Sequence, residues 1–173
     1  MATPLRRADH RLTLLLSSLD EHATPLNSQA PLGKELDRAR VDLVLLAGYM
    51  KIVTTVLVEA FTNRMINIHP SLLPSFPGLD VQKKAIEWGC KLAGCTVHFV
   101  TEGVDEGPII LQAAVPILDE DTPDTLAARI LQQEHKIYPR AVQLFAEGRL
   151  RVEGRRVFIE AGKQEGEAVI SPS

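Results

Sequence analysis

An amide and an imidazole lie two positions apart at the end of a short apolar run, Met65-Ile-Asn-Ile-His. Side chains two apart on a strand point to the same face, so Asn67 and His69 would share one face of a sheet. The chain then meets three prolines, Pro70, Pro74 and Pro77. Because each fixes its φ and removes a backbone donor, they predict a stiff loop after the strand. An amide can donate to a developing oxyanion and an imidazole can move a proton, so the pair is a candidate for chemistry.

Taken one at a time, these residues also have plain structural interpretations. A histidine near an apolar run is usually either buried with its hydrogen bonds made or exposed at the surface, and an asparagine often ends a strand or caps a turn. Asp105 lies in a Gly-flanked loop between two apolar runs, where an aspartate is usually a turn residue. Brought next to His69, however, its carboxylate would raise the pKa of the imidazole and fix the ring's orientation.

Several motifs occur in order along the chain. They are Asn67-Ile-His-Pro-Ser-Leu-Leu-Pro followed by Phe76-Pro-Gly, then Gly94-Cys-Thr-Val-His-Phe-Val, then Val104-Asp-Glu-Gly-Pro. From about residue 41 to about residue 159 the chain resembles the phosphoribosylglycinamide formyltransferases, folate-dependent enzymes of purine synthesis. Members of the wider formyltransferase family that act on tRNA usually carry Arg-Gly after the Leu-Leu-Pro, and formyltetrahydrofolate deformylases vary that loop differently. The Ser-Phe-Pro-Gly of this chain favours the glycinamide ribonucleotide enzymes.

The resemblance implies transfer of a formyl group from 10-formyltetrahydrofolate to the amine of glycinamide ribonucleotide, in de novo purine (IMP) biosynthesis. Acyl transfer of this kind needs an oxyanion donor, a proton carrier and a group that keeps the carrier charged. We assign Asn67 and protonated His69 to the oxyanion, with His69 also donating a proton to the leaving nitrogen. Asp105 is expected to raise the pKa of His69 and to relay the proton of the attacking amine. The resemblance implies the same three positions.

The resemblance also implies binding residues. We expect 10-formyltetrahydrofolate to contact Met50, Lys51, Ile52, Val53, Asn67, Thr101 and Val104. Pro70 and Glu134 are expected to bind the acceptor substrate, Glu134 through its ribose hydroxyls. Thr96 and His98 share one face of a predicted strand and are expected to support the side chains of the site, with a hydrogen-bonded structural histidine as the equal alternative for His98. No metal is expected. Asp80 stands where many family members have His, so a helper imidazole is missing from this chain.

The order of the predicted strands and helices indicates an α/β fold. We expect an open Rossmann-like, mostly parallel sheet with flanking helices and a C-terminal hairpin. Strands are predicted over 41–48, 64–68, 95–100 and 109–117, and hairpin strands over 150–152 and 157–159. Helices are predicted over 53–61, 81–88 and 124–147, the last capped by Thr122 with a break at Pro139. Trp88 of the second helix and Leu131 of the third are among the apolar residues expected to pack inward. Residues 1–162 are expected to form a single formyltransferase catalytic domain, and residues 163–173 a disordered tail.

Composition excludes several other classes of protein. The net charge of −3 gives no sign of nucleic-acid or membrane binding. The chain has 2 cysteines, in no metal-ligand pattern, which indicates thiols in a reducing compartment. The N-terminus lacks the apolar segment of a signal peptide, so we expect a cytoplasmic protein whose partners are small molecules.

Members of the resembled family begin with a strand and a Gly-rich loop that cradles the substrate phosphate. Nothing of the kind precedes Val41 here, so the domain is expected to be N-terminally incomplete, with weak binding of the phosphoribosyl substrate. The sheet edge left open would favour association into a homodimer. Three alternatives stay open: a formyltetrahydrofolate hydrolase, a formyltransferase for another amine, and a truncated folate-binding domain with little activity.

Overall fold

The structure is a computed structural model that describes residues 36, 38, 40–49 and 52–160. In this part of the chain a six-stranded sheet has the order β1-β2-β3-β4-β6-β5. Its strands are β1 Val44–Leu46, β2 Met65–His69, β3 Leu92–Phe99, β4 Ile109–Pro116, β5 Leu150–Glu153 and β6 Arg156–Ile159. The helices flanking it are α1 Thr55–Ala60, α2 Val81–Glu87 and α3 Pro123–Ala146. The expected residues Met50 and Lys51, and the expected tail 163–173, lie outside the described residues.

The sheet is mixed and contains two parallel pairs of neighbouring strands. β1 pairs parallel with β2 after the α1 crossover, and β4 pairs parallel with β6. β3 runs antiparallel to both β2 and β4, and β5 is antiparallel to β6 in the terminal hairpin. The expected open α/β sheet with flanking helices and a C-terminal hairpin is confirmed, and so is the parallel crossover from β1 to β2.

The core forms where the apolar faces of the sheet meet the helices. Ile66, Val97 and Phe99 are at most 1% exposed and pack in one cluster with residues of α3 and the hairpin. α3 buries a stripe at helical spacing, consisting of Leu126, Ile130, Ala141 and Leu144. Burying side chains of this size stabilises the fold by about 1.5–3 kcal/mol each. The strands that carry the polar residues are therefore held on a packed support.

Several predicted details are wrong. Trp88, expected to pack inward from α2, is 80% exposed, because α2 ends at Glu87 and Gly89 turns the chain with a φ of +68°. Leu131 on α3 is 47% exposed, since it lies off the stripe that faces the sheet. Pro139 does not end α3, which continues to Ala146. A proline inside a helix removes one backbone hydrogen bond, but the helix can continue past it.

Among the described helices, none combines the length and the apolar character that crossing a bilayer requires. The described residues likewise hold no group of three or more His, Cys, Asp or Glu side chains arranged to bind a metal ion.

Candidate functional site

The register of β2 against β3 brings the predicted polar residues together. Asn67 lies opposite His98, and His69 lies opposite Thr96. Because side chains alternate along each strand, all four project from the same face of the sheet. The fold thus builds a polar patch from two strands that are each otherwise apolar.

Thr96 holds the proline loop, residues 70–78, rather than lining the cavity. Its hydroxyl is 0% exposed, donates to the Ser71 carbonyl at 2.7 Å and accepts from the Leu73 amide at 3.0 Å. Gln112, from β4, donates both to the Thr96 hydroxyl and to the Leu73 carbonyl. The start of the loop is therefore fixed to β3 and β4.

His69 is enclosed by two oxygen acceptors. The ring is 6% exposed, and its Nδ1 lies 3.4 Å from Oδ2 of Asp105. Its Nε2 lies 3.0 Å from the carbonyl oxygen of Phe76, which can only accept, so Nε2 carries the proton. Both ring nitrogens thus face groups suited to an imidazolium. For Nε2 to protonate a substrate, its bond to Phe76 must first open.

Asp105 is positioned by its own backbone and by the proline loop. Its φ is +55°, a left-handed conformation that aspartate tolerates better than most residues. Its Oδ2 also accepts from the Gly78 amide at 2.9 Å. Gly107, two residues on, lies so close to the Phe99 carbonyl that a Cβ there would be 1.7 Å from that oxygen. The loop can take this path only with glycine at that position.

His98 is neutral, and this orients Asn67. Burial lowers the pKa of His98, with the carbonyl of Phe99 and the charge of Asp105 opposing the shift. Its Nδ1 donates to the Phe99 carbonyl at 2.9 Å, which leaves Nε2 as an acceptor for the Asn67 amide at 3.3 Å. Oδ1 of Asp105 lies 3.7 Å from the same Nε2, a contact that would be an ion pair only with a protonated ring, the form that burial disfavours. The amide nitrogen of Asn67 is fixed, with a second N–H still free to donate.

These residues surround a cavity of about 410 Å³. The predicted binding and catalytic residues that line it are Asn67, His69, Asp105, Ile52, Val53, Thr101, Val104, Pro70 and Glu134. His98 lines it as well, while Met50 and Lys51 lie outside the described residues. The structure thus brings together, around one space, residues that are up to 82 positions apart in the sequence, from Ile52 to Glu134.

Glu134 enters the cavity wall from α3. The carboxyl is half-buried, and burial raises its pKa, with the neighbouring His135 and His69 opposing the shift. Asp80, Glu102 and Asp105 also line the cavity. Within the described lining there are four carboxylates and two imidazoles, and no Lys or Arg.

Sequence reasoning missed several groups that shape this site. The Phe76 carbonyl and the Gly78 amide are backbone groups, which every residue carries, so no residue type marks them. Tyr138 donates to the Leu46 carbonyl at 2.8 Å across 92 positions, a contact that no local pattern indicates. Gln112 gave no signal because an isolated glutamine on a strand usually faces water.

Comparison with known proteins finds relatives among formyltransferases and purine biosynthetic proteins. A family model described as formyl transferase matches residues 11–142. The trifunctional purine biosynthetic protein adenosine-3 of Drosophila melanogaster is 54% identical over 119 residues, which are 69% of this chain and 9% of that protein. The phosphoribosylglycinamide formyltransferase of Haemophilus influenzae is 46% identical over 129 residues, 75% of this chain and 61% of that protein.

A solved structure agrees with both relatives. Glycinamide ribonucleotide transformylase 1 from Symbiobacterium toebii superposes with a TM-score of 0.74 at 63% identity, covering 76% of this chain and 62% of the other. The chain therefore spans about three-fifths or less of the length of these proteins. Since the family model covers more than half of the sequence, the chain belongs to the formyl transferase family.

Proposed function

We propose that this chain transfers a formyl group from 10-formyltetrahydrofolate to the amine of glycinamide ribonucleotide, a step of de novo purine biosynthesis. The observation that carries the proposal is the meeting of Asn67, His69 and Asp105 around one cavity, with 3.4 Å between His69 Nδ1 and Asp105 Oδ2. Membership of the formyl transferase family supports it, and so do the names of the relatives.

In this proposal each of the three residues has a task. As the amine nitrogen bonds to the formyl carbon, the carbonyl oxygen becomes an oxyanion, and the free N–H of Asn67 donates to it. The carboxylate of Asp105 takes up the proton that the attacking nitrogen must lose. When the bond from the formyl carbon to the folate nitrogen breaks, His69 Nε2 delivers a proton to that nitrogen. The products are a formamide and a folate N–H, so atoms and charge balance.

The cavity has the chemistry that a folate requires. Its apolar wall consists of Leu46, Ile52, Val53, Val100 and Val104. A flat pterin needs such an apolar slot with backbone polar groups at its edge, and 410 Å³ is within the usual range for small-molecule sites. In our proposal Glu134 binds the other substrate, with its carboxylate accepting hydrogen bonds from the ribose hydroxyls of the acceptor.

The proposal is tested by following tetrahydrofolate production from 10-formyltetrahydrofolate with and without glycinamide ribonucleotide. We expect turnover that depends on the acceptor and is lowered about a hundredfold or more by Asp105→Asn. Asp42→Asn makes the same chemical change at an exposed position before β1, so it should leave turnover unchanged. Hydrolysis at full rate without the acceptor would favour a formyltetrahydrofolate hydrolase. Folate binding with no turnover in any condition would favour a non-catalytic domain.

We also propose a cytoplasmic location and a homodimer. Sedimentation of the purified chain tests the second: a monomer at micromolar concentration would contradict it.

A further inference from the structure

Tyr138 links three elements that each contribute residues to the lining of the cavity, α3, β1 and β2. It projects from α3 one turn after Glu134, so both side chains leave the same face of the helix. Its hydroxyl is 2.8 Å from the carbonyl oxygen of Leu46, at the end of β1, and 3.3 Å from that of Ile66 in β2. Leu46 pairs with Asn67 across the two strands. One hydroxyl thus connects the helix that carries Glu134 to the end of β1, where Leu46 lines the cavity, and to β2 one residue before Asn67.

The Tyr138 contact lies next to a proline inside α3, where the helix has lost a backbone hydrogen bond. Pro139 follows Tyr138 directly inside the helix. Because proline has no N–H, the helix lacks the bond that residue 139 would make to the carbonyl of residue 135, and the ring crowds that carbonyl. The helix is therefore weakest between its N-terminal part, with Glu134, and its C-terminal part, where Ala141 and Leu144 are buried in the core.

We propose that Tyr138 is a positioning residue, whose hydroxyl sets the distance of Glu134 from the end of β1 and from β2 and so fixes the width of the cavity for the acceptor. It touches no substrate in this assignment. Asn67 depends on it less, because the amide of Asn67 is held independently by His98 Nε2. This role for Tyr138 rests on the proposed function insofar as Glu134 is taken to bind the acceptor.

Tyr138→Phe tests the assignment, since it keeps the ring and removes only the hydroxyl. We expect the KM for glycinamide ribonucleotide to rise about five- to tenfold, while kcat changes less than twofold, because the oxyanion donor is held elsewhere. Thr122→Ala is the matched control: it weakens the N-cap of the same helix, remote from the cavity lining. It should lower stability without moving KM. An unchanged KM in Tyr138→Phe, or an equal rise in both variants, would overturn the role.

Hydrogen exchange separates a failure of this role from a failure of the proposed function. We expect Tyr138→Phe to speed amide exchange in residues 131–138 and around Ile66 in β2, whereas Thr122→Ala speeds it only in the first turns of α3. This readout needs no substrate and holds even if the chain formylates nothing. Exchange in residues 131–138 at the wild-type rate in Tyr138→Phe would rule out the anchoring contact itself.

Discussion

The Asn67 side chain is hydrogen-bonded to His98 and also faces the cavity. His98 Nε2 accepts one of its N–H groups, and the side chain lines the cavity. We expect Asn67→Ala to lower kcat on the order of a hundredfold or more, the usual cost of losing one oxyanion donor, while KM changes little because the oxyanion exists only during reaction. Steady-state kinetics measures both constants. A kcat within threefold of wild type would remove Asn67 from the proposed mechanism.

The neutral state of His98 has a consequence for stability. Because burial lowers the pKa of His98 in the folded chain, the unfolded chain takes up a proton first as pH falls below the usual histidine value of about 6.5. The contribution of His98 is therefore complete above that pH and is lost towards the lowered folded pKa. We expect the free energy of unfolding in denaturant to fall less between pH 7 and pH 5.5 in His98→Gln than in wild type. Parallel pH curves for the two proteins would contradict this.

The longest helix begins at a cap that the sequence predicts and the structure contains. The Thr122 hydroxyl accepts from the Thr125 amide at 3.3 Å, and the Thr125 hydroxyl accepts in return from the Thr122 amide at 3.0 Å. We expect Thr122→Ala to cost about 1 kcal/mol of unfolding free energy, measured with denaturant. Thr122→Ser keeps the hydroxyl and should cost much less. Equal losses in the two variants would mean that the cap bond is not what stabilises this end.

How far each element could be predicted depends on where its determining contacts lie. Apolar runs, a Thr-Pro helix start and a glycine-linked hairpin are local signals, so β2, α3 and the hairpin were predicted to within a few residues. The position of the Trp88 ring could not be predicted from the α2 sequence alone. The helix ends at Glu87, and the ring then packs edge-on against Phe76 of the proline loop, a contact that depends on the tertiary path of that loop. His69 was predicted as a site residue, but its bond to the Phe76 carbonyl depends on the tertiary path of the proline loop.

Within the part of the molecule that the structure describes, the charges around the cavity oppose the negative charges of the proposed substrates. The chain carries a net charge of −3, and the described lining of the cavity contains four carboxylates without Lys or Arg. Both glycinamide ribonucleotide and a folate are anions. The carboxylates favour the acceptor's amine in its protonated form but oppose its phosphate. The balance between these effects can be measured one charge at a time.

Asp80 is the carboxylate best suited to that measurement, because it is exposed at the cavity and has no role in the proposed chemistry. A unit charge several Å from a phosphate in a partly solvated cleft opposes it by roughly 0.5–1 kcal/mol. We therefore expect Asp80→Asn to lower the KM for glycinamide ribonucleotide about threefold at low salt, and less at 0.5 M salt, where screening is strong. Asp124→Asn, outside the cavity lining, makes the same charge change and should leave KM unaltered. If Asp80→Asn instead raised KM, Asp80 would be binding the acceptor, and the cavity would select its amine more strongly than it repels its phosphate.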